Sequence, residues 1–366
     1  MISETASGPA PAVSVLIPVY NTAKHLSRGI FSLFTQQGIA WDDLEIIIIN
    51  DASEDDAESA IRFFTDTDER VHAVHLKENR GTFAARIAGL KTARGKYILN
   101  LDADDTLDPD AVRTLLAIAE KNNADAVGFG ARELNGDGSR DPYGNTLDSA
   151  PFTLHGKDIF DAVFRSHAYS WSMCLKMIRR DILLSVMEKY DMDPGFYCIF
   201  ADDFLQFIPT ALHLKKFIMS GRIFYNYYRE IGITGSRKMT PESFRKAASM
   251  TDALRFVKEI LVREGIWETY RSAFAIRERE QLKMLAEKWR LRLDKNDREI
   301  ALTELKQRYD APEVIAELFT ESGPENTEEK RSAVKHLFKT ESWIWYFLKR
   351  LQGALRFRKG KKFYDC

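Results

Sequence analysis

Cysteine is scarce. Cys174, Cys198 and Cys366 are the only three in 366 residues, and no two form a Cys-x-x-Cys pair. That usage excludes a zinc cluster and a disulfide framework and points to a reducing, cytoplasmic setting. Glycine is never gathered into Gly-x-Gly-x-x-Gly or Gly-x-x-x-x-Gly-Lys-Ser/Thr behind an apolar run, which argues against a dinucleotide dehydrogenase and a P-loop NTPase. No apolar stretch approaches the ~20 residues that span a bilayer. Residues 1–12 are small, polar and proline-containing, without the basic start and apolar core of a signal peptide, and are expected to be disordered. Net charge is scarce too. A balance of -1 provides no global field to attract nucleic acid, although Lys and Arg far outnumber acids after Arg331.

What is present is the composition of a folded protein, long enough for one domain and an appendage. Apolar runs at Val13–Val19, Leu44–Ile49, Val71–Leu76, Lys96–Leu101 and Ala124–Phe129 alternate with stretches of helical spacing at Ala23–Gln37, Glu54–Phe64, Thr82–Ala93 and Asp108–Lys121. The Ile-rich run at Leu44–Ile49 hardly alternates, as expected of a strand covered on both faces. Strict alternation with short loops predicts an α/β, doubly wound, mostly parallel sheet of Rossmann-like plan. Ligands of such sheets bind beyond the carboxyl ends of the strands. The exits there are Tyr20-Asn21, Asp51-Ala52-Ser53, Asn79-Arg80-Gly81 and Asp102-Ala103-Asp104-Asp105.

The last exit is the centre of the pattern. Carboxylates clustered at a strand-to-helix loop suit a hard cation, Mn²⁺ or Mg²⁺, that also holds the phosphates of a substrate. A solvated acidic turn is the plain alternative. Asp108 is expected to cap the next helix, with Pro109 at its first position. A second acidic pair, Asp202-Asp203, lies among Tyr197, Phe200, Phe204 and Phe207 at the head of an apolar helix over Phe204–Leu214. Burial there would raise a carboxylate toward the range of a general base, while capping of that helix needs the same residues. Residues 131–150 read as an exposed loop or hairpin, Leu154–Phe164 as helical, and Trp171–Arg180 as either a motif or a core strand with a basic end.

Taken together, Val15–Asn21 (Val-Leu-Ile-Pro-Val-Tyr-Asn), Asn50-Asp51-Ala52-Ser53, Asn79-Arg80-Gly81 with Ala85-Arg86, and Leu101–Asp105 resemble family 2 glycosyltransferases with a GT-A fold. The resemblance covers residues 13–236 and extends to the Trp171–Arg180 segment, the Asp202-Asp203 pair and Ile223–Arg229 with Gly235-Ser236. Ala52 stands where the family has glycine, Ile87 where asparagine is usual, and Asp202 where glutamate is commoner. The resemblance implies an inverting, metal-dependent transfer from a nucleotide-sugar, a UDP-sugar being favoured, to a hydroxyl of a glycan or glycolipid in bacterial surface-polysaccharide synthesis. Pro18, Val19 and Tyr20 would wall the nucleoside and Asp51 would accept from the base edge. Arg86 would approach the base or diphosphate, and Asp102, with Ala103 beside it, would bind the ribose. Asp104 would hold the metal, with Asp105 as a further ligand, as a partner of that acid or as the start of a helix cap. Asp203 would be the base, Asp202 its orienting partner, and Arg229 would reach the diphosphate unless it is merely a strand-end arginine. A sugar nucleotidyltransferase and a catalytically silent binding or scaffold protein on the same fold are the alternatives.

The expected domains are residues 13–236, with a donor half at 13–130 and an acceptor half at 131–236, and a helical region over 237–366. In the latter, Trp343–Phe357 and the basic residues through Lys362 suit either an anionic membrane surface or a docking helix. The expected location is cytoplasmic, with the inner face of the cytoplasmic membrane open through that tail. A homo-oligomer is left open.

Overall fold

The computed structural model describes residues 10–140, 146–147, 150–166, 168–192, 198, 200–228 and 238–320. Arg229, Tyr197 and the basic aromatic tail at 343–362 lie outside the described residues, as do residues 1–9. The chain divides into two compact units, residues 1–159 with 171–235, and 160–170 with 236–366.

The first unit is built on ten strands: β1 (Val13–Val19), β2 (Leu44–Asn50), β3 (Val71–His75), β4 (Tyr97–Asn100), β5 (Thr106–Leu107), β6 (Ala126–Leu134), β7 (Thr146–Leu147), β8 (Phe152–His155), β9 (Lys176–Arg179) and β10 (Lys216–Tyr228). They lie in the order β3-β2-β1-β4-β9-β6-β10-β5, with β7 on β6 and β8 on β10. The β3-β2-β1-β4 half is parallel, β9 runs antiparallel to both of its neighbours, and β10 is parallel to β6. Helices α1 (Ala23–Phe34), α2 (Ala57–Thr67), α3 (Gly81–Thr92) and α4 (Ala111–Asn122) follow the first strands in strict alternation. Ile46, Ile47, Ile48 and Ile49 are all fully buried, because a parallel sheet walled by helices leaves neither face in water. Because β1, β2, β3 and β4 are parallel, the four polar exits read from the sequence share one edge of the sheet.

Two expectations are corrected. Asp108 does not cap α4; Asp110 takes that position and the helix starts at Ala111. The reason is β5, which pairs with β10 and draws Asp108 to the sheet, where Arg132 and the Asn226 amide (3.0 Å) hold its carboxylate. Phe152–His155 is a strand, not the first turn of a helix; its residues alternate half-buried and exposed against β10, and α5 (Lys157–Phe164) begins only beyond it. Of the two forms expected after residue 130, loop or hairpin, the described residues show the hairpin: β6 runs on to Leu134 and β7 pairs antiparallel with Ala131 and Arg132. Trp171–Arg180 contains a short 3-10 turn (Met173–Leu175), β9 and the start of α6 (Arg180–Lys189). The acidic pair opens α7 (Asp202–Ala211).

The second unit contains α8 (Pro241–Ala247), α9 (Met250–Arg263), α10 (Trp267–Arg292), α11 (Lys295–Arg308) and α12 (Pro312–Leu318). Residues 160–170 belong to it through Arg277, only 1% exposed, whose guanidinium donates to the carbonyl of Phe164 at 2.6 Å and to Glu280. A buried guanidinium satisfied by carbonyls and one carboxylate fixes a chain segment at a defined place. No helix of the described residues is long and apolar enough to cross a membrane.

Ala52 at the β2 exit has φ of 54°, the left-handed region where a side chain costs about 1 kcal/mol. Ala52→Gly is therefore expected to stabilise by about 1 kcal/mol and raise the thermal midpoint by a few degrees. A lowered midpoint in calorimetry would show that the methyl's packing outweighs the strain.

Candidate active site

The four exits are tied to one another by their own side chains. Asn21, itself at φ of 53°, donates its backbone N–H to Ser53 Oγ (3.2 Å) and accepts from the Glu54 N–H (2.8 Å). Asp51 is buried, and each of its carboxylate oxygens accepts one N–H at the start of α3, from Arg80 and from Gly81, both at 2.8 Å. That end of a helix presents unpaired N–H groups and a partial positive charge, so Asp51 locks β2 to α3. Pro18, Val19 and Tyr20 end β1 beside it, and the Val19 carbonyl accepts from the Asp51 N–H (2.9 Å).

Arg86 stands about one and a half turns further along α3 and is only 4% exposed. Its Nη1 donates to Asp202 Oδ2 (2.6 Å) and Asp203 Oδ1 (2.7 Å), and its Nη2 to Asp102 Oδ1 (3.0 Å) and to the Cys174 sulfur (3.3 Å). One guanidinium thus joins the acid of the β4 exit to both acids of α7. Asp203 Oδ1 also accepts from the Met173 N–H (3.1 Å), whereas Oδ2 receives no donor among the described residues. Ala201, just before the pair, has φ of 63°, and strained backbone of this kind persists where neighbours over-determine it. Trp171 meets Phe204 edge to face at 5.6 Å, holding the 171–175 segment on α7.

The acids of the β4 exit face different ways. Asp102 is 41% exposed at its side chain. Ala103 is buried against α1, where a Cβ on Gly29 would stand 3.4 Å from its carbonyl. Asp105 is turned inward, 1% exposed, its oxygens taken by the Tyr225 hydroxyl (2.7 Å) and the Tyr228 N–H (2.9 Å). No other residue donates to the Asp104 carboxylate among the described residues, so both of its oxygens are available to a cation, beside the Asp102 Oδ2 that no donor takes. No group of three His, Cys, Asp or Glu that would hold a metal unaided occurs among the described residues.

The family pattern described as glycosyl transferase family 2 matches residues 14–184. Over this stretch, a little under half of the chain, the sequence is thus similar to that family. The uncharacterized glycosyltransferase YibD of Escherichia coli (strain K12) is 30% identical over 185 residues, 49% of this chain and 51% of that protein. The succinoglycan biosynthesis protein ExoO of Rhizobium meliloti (strain 1021) is 33% identical over 131 residues, covering 34% of this chain and 36% of its own length. The chain thus spans about half the length, or less, of these curated relatives. Residues 1–349 of TarS from S. aureus, solved in complex with UDP-GlcNAc, align with a TM-score of 0.50 at 16% identity, over 75% of this chain and 81% of that one. At that identity the likeness is one of fold, GT-A.

In the first unit, burial dominates the electrostatics of the acids. It pushes Asp104 up to about 6 and Asp105 up to about 8, with the Asp102 charge adding to both. Burial and then the Asp203 charge push Asp202 up to about 7, against the pull of Arg86. Asp51 is likewise raised by burial, against its two backbone donors. Burial also holds the Cys174 thiol well above its ordinary range, so it sits protonated beside Arg86.

Sequence reasoning passed over several of these contacts. Cys174 and Tyr225, which holds Asp105, lie inside the Trp171–Arg180 and Ile223–Arg229 segments of the resemblance, but neither side chain is marked there as a site residue. Lys176 lay inside a segment with two open readings. It is 1% exposed, its ammonium donates to the Ser172 carbonyl (2.6 Å), and it lies 4.1 Å from the Phe207 ring centre. Its same-face neighbours two residues away on either side, Cys174 and Ile178, are both apolar, which is the signal in the sequence that marks it as buried.

Burial lowers Lys176 to about 7, with the Asp203 charge opposing. Between about pH 7 and 10 the unfolded chain then binds a proton that the folded chain does not, so stability rises with pH there. Wild type is expected to gain on Lys176→Met by up to about 1.4 kcal/mol per pH unit across that window. Parallel denaturation curves at pH 7.5 and 9 check this, and an unchanged difference would place a proton on the buried amine throughout.

Proposed function

We propose that the chain is an inverting, metal-dependent glycosyltransferase that moves a sugar from a nucleoside-diphosphate sugar, a UDP-sugar being favoured, to a hydroxyl of a glycan or glycolipid acceptor. Bacterial surface-polysaccharide synthesis is the setting that fits its relatives. The observation that carries the reading is the shared guanidinium: Arg86 ties Asp102, on the donor side, to the Asp202-Asp203 pair. Donor and base then face one reaction centre.

In this reading Pro18, Val19, Tyr20 and Asp51 receive the nucleoside, and Asp102 and Ala103 the ribose and its phosphate. Asp203, oriented by Arg86 and the Met173 N–H, keeps Oδ2 for the acceptor hydroxyl. As the acceptor oxygen bonds to the anomeric carbon, its proton passes to Asp203 and the nucleoside diphosphate leaves with the electron pair of the broken bond from the opposite face. One displacement inverts the configuration. Asp202, partly shielded, orients Asp203 through the common guanidinium. The residues suit a divalent ion, because Asp104 offers a carboxylate that no protein donor occupies, and a Mn²⁺ or Mg²⁺ held by one carboxylate completes its shell with phosphate oxygens. Such an ion would supply Lewis-acid charge to the departing diphosphate. Asp105 supports the loop from beneath rather than offering a second ligand. Arg229, outside the described residues, remains a further diphosphate candidate.

A thermal-shift series with UDP, GDP, CDP and dTDP, with and without Mn²⁺, tests the donor site, since a ligand that binds only the folded state raises its midpoint. One nucleoside diphosphate is expected to raise it in a metal-dependent way; silence from all four contradicts the reading. Asp104→Ala is expected to abolish the metal-dependent part of the shift. Asp203→Asn is expected to retain that shift while lowering transfer by at least about 100-fold, the usual worth of a general base. Equal loss of binding and transfer would make Asp203 structural.

A further inference from the structure

The cation expected at the diphosphate is committed elsewhere. Both Nη atoms of Arg86 are occupied by Asp102, Asp202, Asp203 and Cys174, beneath a side chain only 4% exposed. A diphosphate arriving over Asp102 and Asp104 meets negative charge, and among the described residues a second arginine stands at that loop.

Arg28 lies in the second turn of α1, the helix that leaves the β1 exit. The helix packs directly on the acidic loop: a Cβ on the next residue, Gly29, would stand 3.3 Å from the Asp105 carbonyl and 3.4 Å from that of Ala103. The Arg28 guanidinium carbon lies 3.9 Å from the centre of the Tyr228 ring, and Tyr228 is itself fastened to Asp105 through its N–H (2.9 Å). The Arg28 charge also acts on Asp104, opposing the effect of burial and of Asp102. Yet among the described residues Arg28 forms no ion pair, and its Nη1 is buried without a hydrogen-bond partner. An aromatic face satisfies the flat side of a guanidinium and leaves its N–H edge available. A buried N–H left without an acceptor is costly in an isolated protein. It is well placed for an anion with several oxygens, which a planar fork of donors binds strongly.

We propose that Arg28 is a diphosphate-binding residue, which donates to the phosphate oxygens of the nucleotide-sugar and stabilises the nucleoside diphosphate as it leaves. This rests on the donor-site reading above and adds to it a protein cation on the α1 side of the acidic loop, fixed in place by Tyr228. The charge developing on the leaving phosphate is then met from Arg28 as well as from the ion at Asp104.

Binding measured by calorimetry or ligand-observed NMR separates the phosphate contact from the shape of the pocket. The full chain and its Arg28→Met and Arg28→Lys variants are titrated with UDP, GDP, CDP and dTDP in Mn²⁺, and with the corresponding nucleosides. For the diphosphate that wild type binds, Arg28→Met is expected to weaken affinity about 10- to 100-fold and to leave the nucleoside within about twofold, while Arg28→Lys recovers part of the loss. An equal loss for diphosphate and nucleoside would make Arg28 a structural support of α1, and no loss for either would remove it from the site; both overturn the proposal. If Arg28→Met does not fold, the lysine variant carries the test, with a loss for the diphosphate alone expected and parity overturning it. Wild type that binds none of the four diphosphates rejects the donor-site reading and this inference with it.

Discussion

The site depends on the burial of a single positive charge. A guanidinium that is 4% exposed survives only if its donors are met by acceptors, since an unpaired charge out of water is expelled or neutralised. Arg86 meets this condition with carboxylates from two distant parts of the chain, 16 residues away at Asp102 and 116 and 117 residues away at Asp202 and Asp203. The constraint works in both directions. Asp202 and Asp203 are neighbours of like charge at the head of α7, and Asp102 adds a third; without a cation between them the loops would move apart. The charge that holds the fold together at this point also holds the β4 exit and the head of α7 in register.

The rest of the first unit supplies the frame for that contact. The parallel half of the sheet delivers its exits to one edge, and the buried run from Ile46 to Ile49 keeps β2 rigid beneath Asp51. The antiparallel β9, wedged between β4 and β6, brings Met173, Cys174 and Lys176 to the site from the opposite direction. Ala52 at the β2 exit and Ala201 just before α7, both in left-handed backbone, each stand immediately beside an acid of the site. Strain at such positions is tolerated because the surrounding hydrogen bonds leave no alternative path.

Much of this was legible in the sequence. Strand and helix order through Phe129 follows from apolar runs and helical spacing, and the shared edge follows from parallel topology alone. Asp51, Arg86, Asp102, Asp104 and the Asp202-Asp203 pair were all singled out from local motifs. What the sequence did not carry was how these motifs meet. Asp105 and Asp104 are adjacent and chemically identical, and it is the Tyr225 hydroxyl and the Tyr228 N–H, 120 and 123 residues away, that hold one carboxylate and leave the other without a donor from another residue. Asp108 has the local pattern of a helix cap, but a two-residue strand pairing with β10 takes it away. Arg28 resembles any arginine on a helix surface until the ring of Tyr228 is set against it. Pairings of this kind arise from tertiary contacts at long separation, which periodicity and motif spacing do not encode.

The account stands or falls on a single displacement in one shared site. Its most direct measurement needs no knowledge of the acceptor: incubate the protein with Mn²⁺ and the nucleotide-sugar whose nucleoside diphosphate it binds, let water act as acceptor, and record ¹H NMR of the first sugar released, before mutarotation. An α-linked donor is expected to give the β-sugar first, the configuration left when a base on the Asp203 side directs attack opposite the leaving diphosphate. Release of the α-sugar first would contradict the account, because retention requires a second displacement or attack from the leaving-group face.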